Sequence, residues 1–425
     1  MALPMSVSGS PRDTVIDLAV ASLPLLATVA LYLPGGLLMP FRLVSLGLAG
    51  AAVWHLVRPR RPTAPRTLLG IGLLAGCFLG FGLLGWVRFR SSAAEDLVRV
   101  VFLFLVVGAV AVLATRRRSV VWLVLGWLVA GAVAAAVGIW EVLTGQHLPK
   151  HASAAEFADT LPGWNVIASF FDNPNLYAYQ VSIVLLLLPV GFAVLPRGWR
   201  LLTVPFGLGL VYLLARTEGR IAVLAVLVGL LLWALRSRGG RVLALLGVAA
   251  FAVAALARVP LALQVLAEAD NALVEFEQEG ASSWVRTELA RNAWWITEQS
   301  GYLGVGPGGF GTWSVRPDNP YRYQQLNNAH SGLLEVLSEY GVVTALVLLA
   351  LLAVGAAAAL RAARGVPVWQ LDRMLAYAAF VLIAAWPLLS AAHSTWLRQP
   401  LAAAHMATVV ALLARAEARS DGGDG

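Results

Sequence analysis

"AHSGLLEVLSEYGVVTALVLLALLAVGAAA", residues 329–358, decides what kind of molecule this is. Between Val342 and Ala358 it holds no charged side chain, and Thr344 is its one polar residue. Crossing a hydrocarbon core takes roughly 20 mostly apolar residues, so 331–358 reads as a membrane-spanning helix. His330 stands at its mouth. An imidazole there is either an ordinary residue of the interface or the working part of a site. With an ordinary pKa near 6.5 it would be mostly neutral at neutral pH and able to accept a proton.

The rest of the chain repeats the pattern. Of 425 residues, 59% are hydrophobic and 13% charged, with a mean hydropathy of +0.76. Soluble domains carry about 25% charged residues, so composition excludes an ordinary soluble enzyme. Apolar blocks at 14–33, 39–57, 67–87, 97–114, 119–143, 174–195, 201–215, 220–236, 241–258, 331–358, 371–390 and 400–415 predict an all-α polytopic membrane protein of about twelve transmembrane helices. The formal charge is +8, carried by arginine except for Lys150. In a soluble chain that excess would suggest nucleic acid. Here "RPRRPTAPR" (58–66), "TRRR" (115–118), "PRGWR" (196–200), "RSRGGR" (236–241) and "RAARG" (361–365) alternate with the blocks. By the positive-inside rule these turns are cytoplasmic, along with both termini. No nucleic-acid partner is expected; membrane lipids are. Cys77 stands alone in an apolar stretch, which gives neither a disulfide framework nor a thiol metal site.

Residues 1–425 thus read as a single integral membrane domain, with 259–330 a large extracytoplasmic loop inside it. That loop is too long to be an idle connection. Ala262, Val265, Leu266, Ala269, Leu273 and Phe276 recur at helical spacing, as do Val285, Leu289, Ala293 and Ile296, predicting two amphipathic helices on the outer face. "GVGPGGFG" (304–311) matches G-x-G-x-x-G, but no strand precedes it and "TWSVRPDNP" follows, so a tight turn is expected and no dinucleotide. No cofactor and no metal are expected. His147 and His151 have a ligand-like spacing, but Pro149 interrupts them and no third ligand is apparent.

Four other features suggest chemistry. "DNPN" (172–175) reads as a cap on a helix starting at Pro174, or as a polar patch of Asp172, Asn173 and Asn175 for sugar hydroxyls. Arg216 and Arg220 are four apart and would share one helix face at the start of a span. An arginine fork beside free helix N–H groups suits a diphosphate; the alternative is a snorkelling arginine paired with Glu218. Arg286 and Arg291 sit on the second amphipathic helix, where either could face a lipid diphosphate. Along the last helix, Leu334, Leu337 and Gly341 would share the His330 face, with Glu335 and Glu339 on the far side.

The segments "FFDNPNLYAYQVSIVLLLLP" (170–189), "ARTEGRIAVLAVLVG" (215–229), "SSWVRTELARNAWWITEQSGYLGVGPGGFG" (282–311) and "NNAHSGLLEVLSEYGVVTALVLL" (327–349) resemble, in order and spacing, the O-antigen ligase and polymerase superfamily of bacterial GT-C-type membrane glycosyltransferases. The resemblance implies a multi-spanning inner-membrane enzyme with a large periplasmic loop. Such an enzyme takes a glycan from an undecaprenyl-diphosphate donor to an acceptor hydroxyl on a glycolipid or glycan, inverting the anomeric carbon without a metal. It implies His330 as the general base, and Arg220 and Arg286, with Arg216, as ligands of the donor diphosphate. Asp172, Asn173, Asn175, Arg291 and Glu335 are secondary candidates. Gly219 stands where the family has a serine. Ligation of O-antigen to lipid A-core is the expected activity. Polymerisation of repeat units, transfer onto protein, and a polysaccharide flippase without chemistry are the alternatives.

Overall fold

A computed structural model describes residues 11–58, 63–90, 94–150, 166–257, 274, 278, 282–322, 328–364, 370–391 and 396–420. Among the described residues, each of the twelve apolar blocks is helical over most of its length. They form α1 (Pro11–Thr28), α2 (Pro40–Val57), α3 (Pro65–Phe89), α4 (Ala94–Leu113), α5 (Arg117–Thr144) and α6 (Pro174–Val194). A single turn, α7 (Arg197–Arg200), leads to α8 (Thr203–Arg216), α9 (Arg220–Leu235) and α10 (Arg238–Leu256). Then come α11 (Ser282–Gln299), a short α12 (Gly309–Ser314), α13 (Gly332–Ala362), α14 (Leu371–Ala391) and α15 (Pro400–Ser420). Among the described residues there is no strand, as expected where every backbone group must be satisfied within its own segment.

Nine helical segments among the described residues are long and apolar enough to cross a membrane: α2 to α6, α7 with α8, α13, α14 and α15. The chain is therefore an all-α, multi-pass membrane protein. Of the twelve expected spans, the blocks that form α1, α9 and α10 do not meet this measure. Helix α9 has only 16 residues, and α1 opens on Arg12, Asp13 and Asp17. Of the two expected amphipathic helices, α11 is the second; the first, with Ala262 and Leu266, lies outside the described residues.

Helices α6, α14 and α15 are the most deeply buried of these and form the centre. Small residues let neighbouring helices approach this centre closely, as membrane helices require: a Cβ on Gly131 of α5 would lie 2.9 Å from Val184 of α6. Polar groups at the centre are paired across helices. Trp127 Nε1 donates to Thr408 Oγ1 at 2.7 Å, and Gln180 Nε2 to Thr28 Oγ1 at 2.6 Å.

Cross-links group the helix ends. Arg116 reaches Asp13 at 3.1 Å and Arg118 reaches Asp17 at 3.0 Å. Glu417 accepts the Arg66 and Thr67 N–H groups at 2.7 and 2.9 Å, so its carboxylate caps α3 from the end of α15. The basic turns that carry these contacts therefore sit at one end of the bundle. The starts of α6, α9, α13 and α15 lie at the other end, where Tyr179 of α6 meets Trp396 and His405 and Ala178 abuts Gly219.

Candidate functional site

The site is assembled by a second, smaller core resting on that other end. Leu289, Ala293 and Ile296 of α11 are buried with Val305, Phe310, Trp313 and Ala329, and Val285, Phe89 and Leu334 pack against them. The apolar stripe read from the sequence is thus the face by which α11 seats on the ends of α3 and α13.

Gly304–Gly308 is the seam. Gly304, Gly306 and Gly308 all have positive φ, +86°, +93° and +73°. A side chain at Gly304 would lie 2.5 Å from the Glu339 carbonyl oxygen. The partner of this turn is a break in α13 at Gly341, where φ is +81° and ψ 173°. The break releases two helix carbonyls: Ser338 O accepts Val305 N–H at 3.0 Å and Glu339 O accepts Gly306 N–H at 2.9 Å. Val342 N–H turns to Tyr302 O at 3.0 Å instead. The glycine-rich turn is therefore stitched into a spanning helix through main-chain bonds.

Two buried acids complete the brace. Glu339, 1% exposed, accepts Gly308 N–H at 2.8 Å and pairs with Arg398 at 3.1 Å; Arg398 also approaches Asp96 at 3.5 Å. Glu335, 3% exposed, accepts the Trp396 and Leu397 N–H groups through Oε2 at 2.7 and 3.2 Å. Its geometry is that of a clamp on the turn before α15. Arg398 was not singled out from the sequence. The signal was available, because acids inside an apolar helix must find a partner.

His330 lies two residues before α13, whose N-cap is Ser331. The expected helical face with Leu334, Leu337 and Gly341 therefore does not apply to it. Its backbone is left-handed, φ +46°, a conformation that costs about 1–3 kcal/mol in a non-glycine residue and collects at functional sites. The ring is half-buried. The expected ordinary pKa is corrected as well: burial, with the Arg286 charge beside it, pulls His330 down to about 4. Arg286 is itself half-buried, which lowers its own pKa. Its Nη1 donates to Ala391 O at the end of α14 at 2.6 Å. A cation on a helix C-terminus is favourably placed, and this contact holds the guanidinium over the bundle end beside His330.

Arg216 and Arg220 do not share a helix face. Arg216 ends α8 and Arg220 begins α9. Between them Thr217 turns its hydroxyl back to Leu214 O at 2.6 Å, and Glu218 adopts φ +55°. Gly219, the N-cap of α9, fits a tight place: a Cβ there would fall 2.8 Å from Ala178 Cβ. Arg216 is 5% exposed and Arg220 is exposed, so the pair presents one cation within the wall and one at its surface. Asn173 caps α6, accepting Asn175 N–H at 2.7 Å. Asp172 beside it is partly buried, which raises its pKa. Arg291 is bound to Glu288 at 2.6 Å.

His147 is held by Glu141 at 3.0 Å, and His151 lies outside the described residues. Glu141 also accepts Ala168 and Ser169 N–H groups at 3.1 and 2.7 Å, a role the sequence did not suggest. Among the described residues no group of three or more His, Cys, Asp or Glu is placed to hold a metal ion. One end of the bundle thus gathers Arg220 at a helix start, Arg286 over a helix end, and a strained histidine beside Arg286.

Comparison with curated proteins finds no match. Comparison with family models does. Residues 201–349, which run from α8 past the Gly341 break and include Arg216, Arg220, Arg286 and His330, match the model described as O-antigen ligase, and the chain carries that domain.

Proposed function

We propose that this protein is an O-antigen ligase. It moves a glycan from an undecaprenyl-diphosphate donor to a hydroxyl of lipid A-core at the periplasmic face of a bacterial inner membrane. The observation that carries this reading is that His330 lies in the field of Arg286, inside the stretch that matches the ligase family model. The end bearing the basic turns would face the cytoplasm with both termini. Twelve spans, with 259–330 outside, complete the topology.

His330 accepts the proton of the acceptor hydroxyl as that oxygen attacks the anomeric carbon from the face opposite the leaving group. The bond from the anomeric carbon to the diphosphate breaks, and undecaprenyl diphosphate departs with the electron pair. Arg286, Arg220 and Arg216 meet the charge that develops on it, the kind of preorganised stabilisation that dominates many active sites. The positive end of the α9 helix dipole favours the same anion. A diphosphate beside Arg286 also offsets the positive field on His330 and raises its basicity when the donor is bound.

The test is release of undecaprenyl diphosphate by the purified protein in liposomes supplied with glycolipid donor and lipid A-core. Release coupled to glycosylated lipid A-core supports ligation. Transfer onto a second lipid-linked glycan would reassign the protein to polymerisation. Absence of release would sink the transferase reading and favour a flippase.

A further inference from the structure

The end of the bundle opposite His330 carries the mouth of a second site. An apolar slot of about 540 Å³ runs between α3, α4, α13, α14 and α15, walled by residues such as Leu74, Phe104, Leu351, Val410 and Leu413. Its deep end is closed by Trp386, Trp396 and His405, and its other end reaches Arg361, Glu417 and Ser420. From His405 to Ser420 along α15 is about 22 Å at 1.5 Å per residue, long enough for a full acyl chain in a hydrocarbon core roughly 30 Å thick. Val354 on its wall is 61% exposed, so the slot opens sideways where lipid would lie.

A second pocket, about 300 Å³, adjoins its mouth and shares Arg361, Ala362, Ala416 and Ser420 with it. Four arginines line this pocket, Arg361, Arg364, Arg415 and Arg419, against a single carboxylate, Asp372, which bridges Arg415 at 3.3 Å. Glu417 at the slot's mouth is committed to the α3 N-terminus. The two pockets thus share a wall, an apolar tail channel beside a positively charged head. Helix α13, 31 residues long and broken at Gly341, runs between this head and His330.

We propose that this end binds an anionic membrane phospholipid, its phosphate headgroup among Arg361, Arg364, Arg415 and Arg419 and one acyl chain in the slot between α3, α13 and α15. Apolar walls give water few partners, whereas a hydrocarbon chain entering from the bilayer gives up nothing. Basic pockets between membrane helices select anionic headgroups by the same electrostatics that draws polybasic segments to such lipids. A zwitterionic lipid supplies the chain without the net charge.

The test uses the purified full chain in detergent, with bound lipid counted by native mass spectrometry. Phosphatidylglycerol, phosphatidylcholine of the same chain length and inorganic phosphate are supplied separately. Phosphatidylglycerol should be retained at least tenfold better than phosphatidylcholine, and millimolar phosphate should not displace it. The double variant Arg361→Gln/Arg364→Gln, both at exposed positions, should weaken its retention roughly 30-fold, at about fivefold per charge. Ala358→Phe, which fills the slot from its wall, should weaken both lipids. Equal retention of the two lipids, or displacement by phosphate alone, would overturn the proposal. So would unchanged phosphatidylglycerol binding in either variant.

Discussion

Burial and the adjoining Arg286 guanidinium together hold the His330 imidazole at about 4, against an ordinary 6.5. A general base works while neutral, so activity is lost as pH falls through its pKa. The depressed value therefore extends the free enzyme's activity into acid. We expect the acidic limb of kcat/KM near pH 4, and the limb of kcat, which reports the donor complex, at higher pH because the diphosphate cancels Arg286. Arg286→Gln should move the free-enzyme limb upward but leave it below 6.5, since burial is the larger cause. Coincident limbs near 6.5 in the native protein would contradict the pairing.

The arginines are expected to act on the leaving group. Arg220→Ala and Arg286→Ala should each lower turnover by about 10²–10³-fold, the scale for losing one electrostatic stabiliser. Lysine should rescue Arg220 poorly, because an ammonium cannot supply the bidentate fork. Arg291→Ala should change little, its guanidinium being taken up by Glu288. Measured transfer rates with a fixed donor decide this; full activity in Arg220→Lys would reduce the role to simple charge.

Gly341 tests whether the stitched turn holds the site. Alanine there would have to adopt φ +81° with its Cβ 2.5 Å from Tyr302 O and 2.6 Å from Leu303 C. Left-handed strain alone costs about 1–3 kcal/mol, and the bonds from Val305 and Gly306 depend on the same break. Gly341→Ala should lower the unfolding temperature and the activity together. Gly72→Ala, with no neighbouring atom within 4 Å, should leave both unchanged. A Gly341→Ala protein of native stability would mean the break is incidental.

Much of this arrangement was legible in the sequence, and the reasons differ by residue. The helices were readable because apolar length is a local property, and the α11 stripe from Val285 to Ile296 because burial repeats at helical period. Asn173 as a cap followed from its place before Pro174. Contacts across the chain were not readable: that Glu335 clamps residues 396–397 and that Glu339 joins Arg398 to the glycine turn depend on elements some 60 positions apart. Arg216 and Arg220 misled because the spacing of four fits a helix, whereas Thr217 and the left-handed Glu218 end one helix and begin another. The candidate histidine was found by type and place. Its strain and depressed basicity emerged only with its neighbours.

Substitutions at His330 separate the role of its backbone from that of its ring. Loss of a general base typically costs 10²–10⁴-fold, and any substitution should show it. The variants differ in stability, because the position demands φ +46°. Asparagine tolerates the left-handed region better than most residues, so His330→Asn should fold as well as the native protein while losing the base. Glycine carries no Cβ penalty there, so His330→Gly should unfold at a higher temperature yet be as inactive. In both, the arginines are intact and donor binding should persist, and the acidic limb of the pH profile should disappear. If His330→Asn keeps near-full transfer, the histidine is an interfacial residue and no base. If it loses donor binding along with activity, His330 is a diphosphate ligand and the proton acceptor must be sought at Asp172, whose burial already raises its basicity.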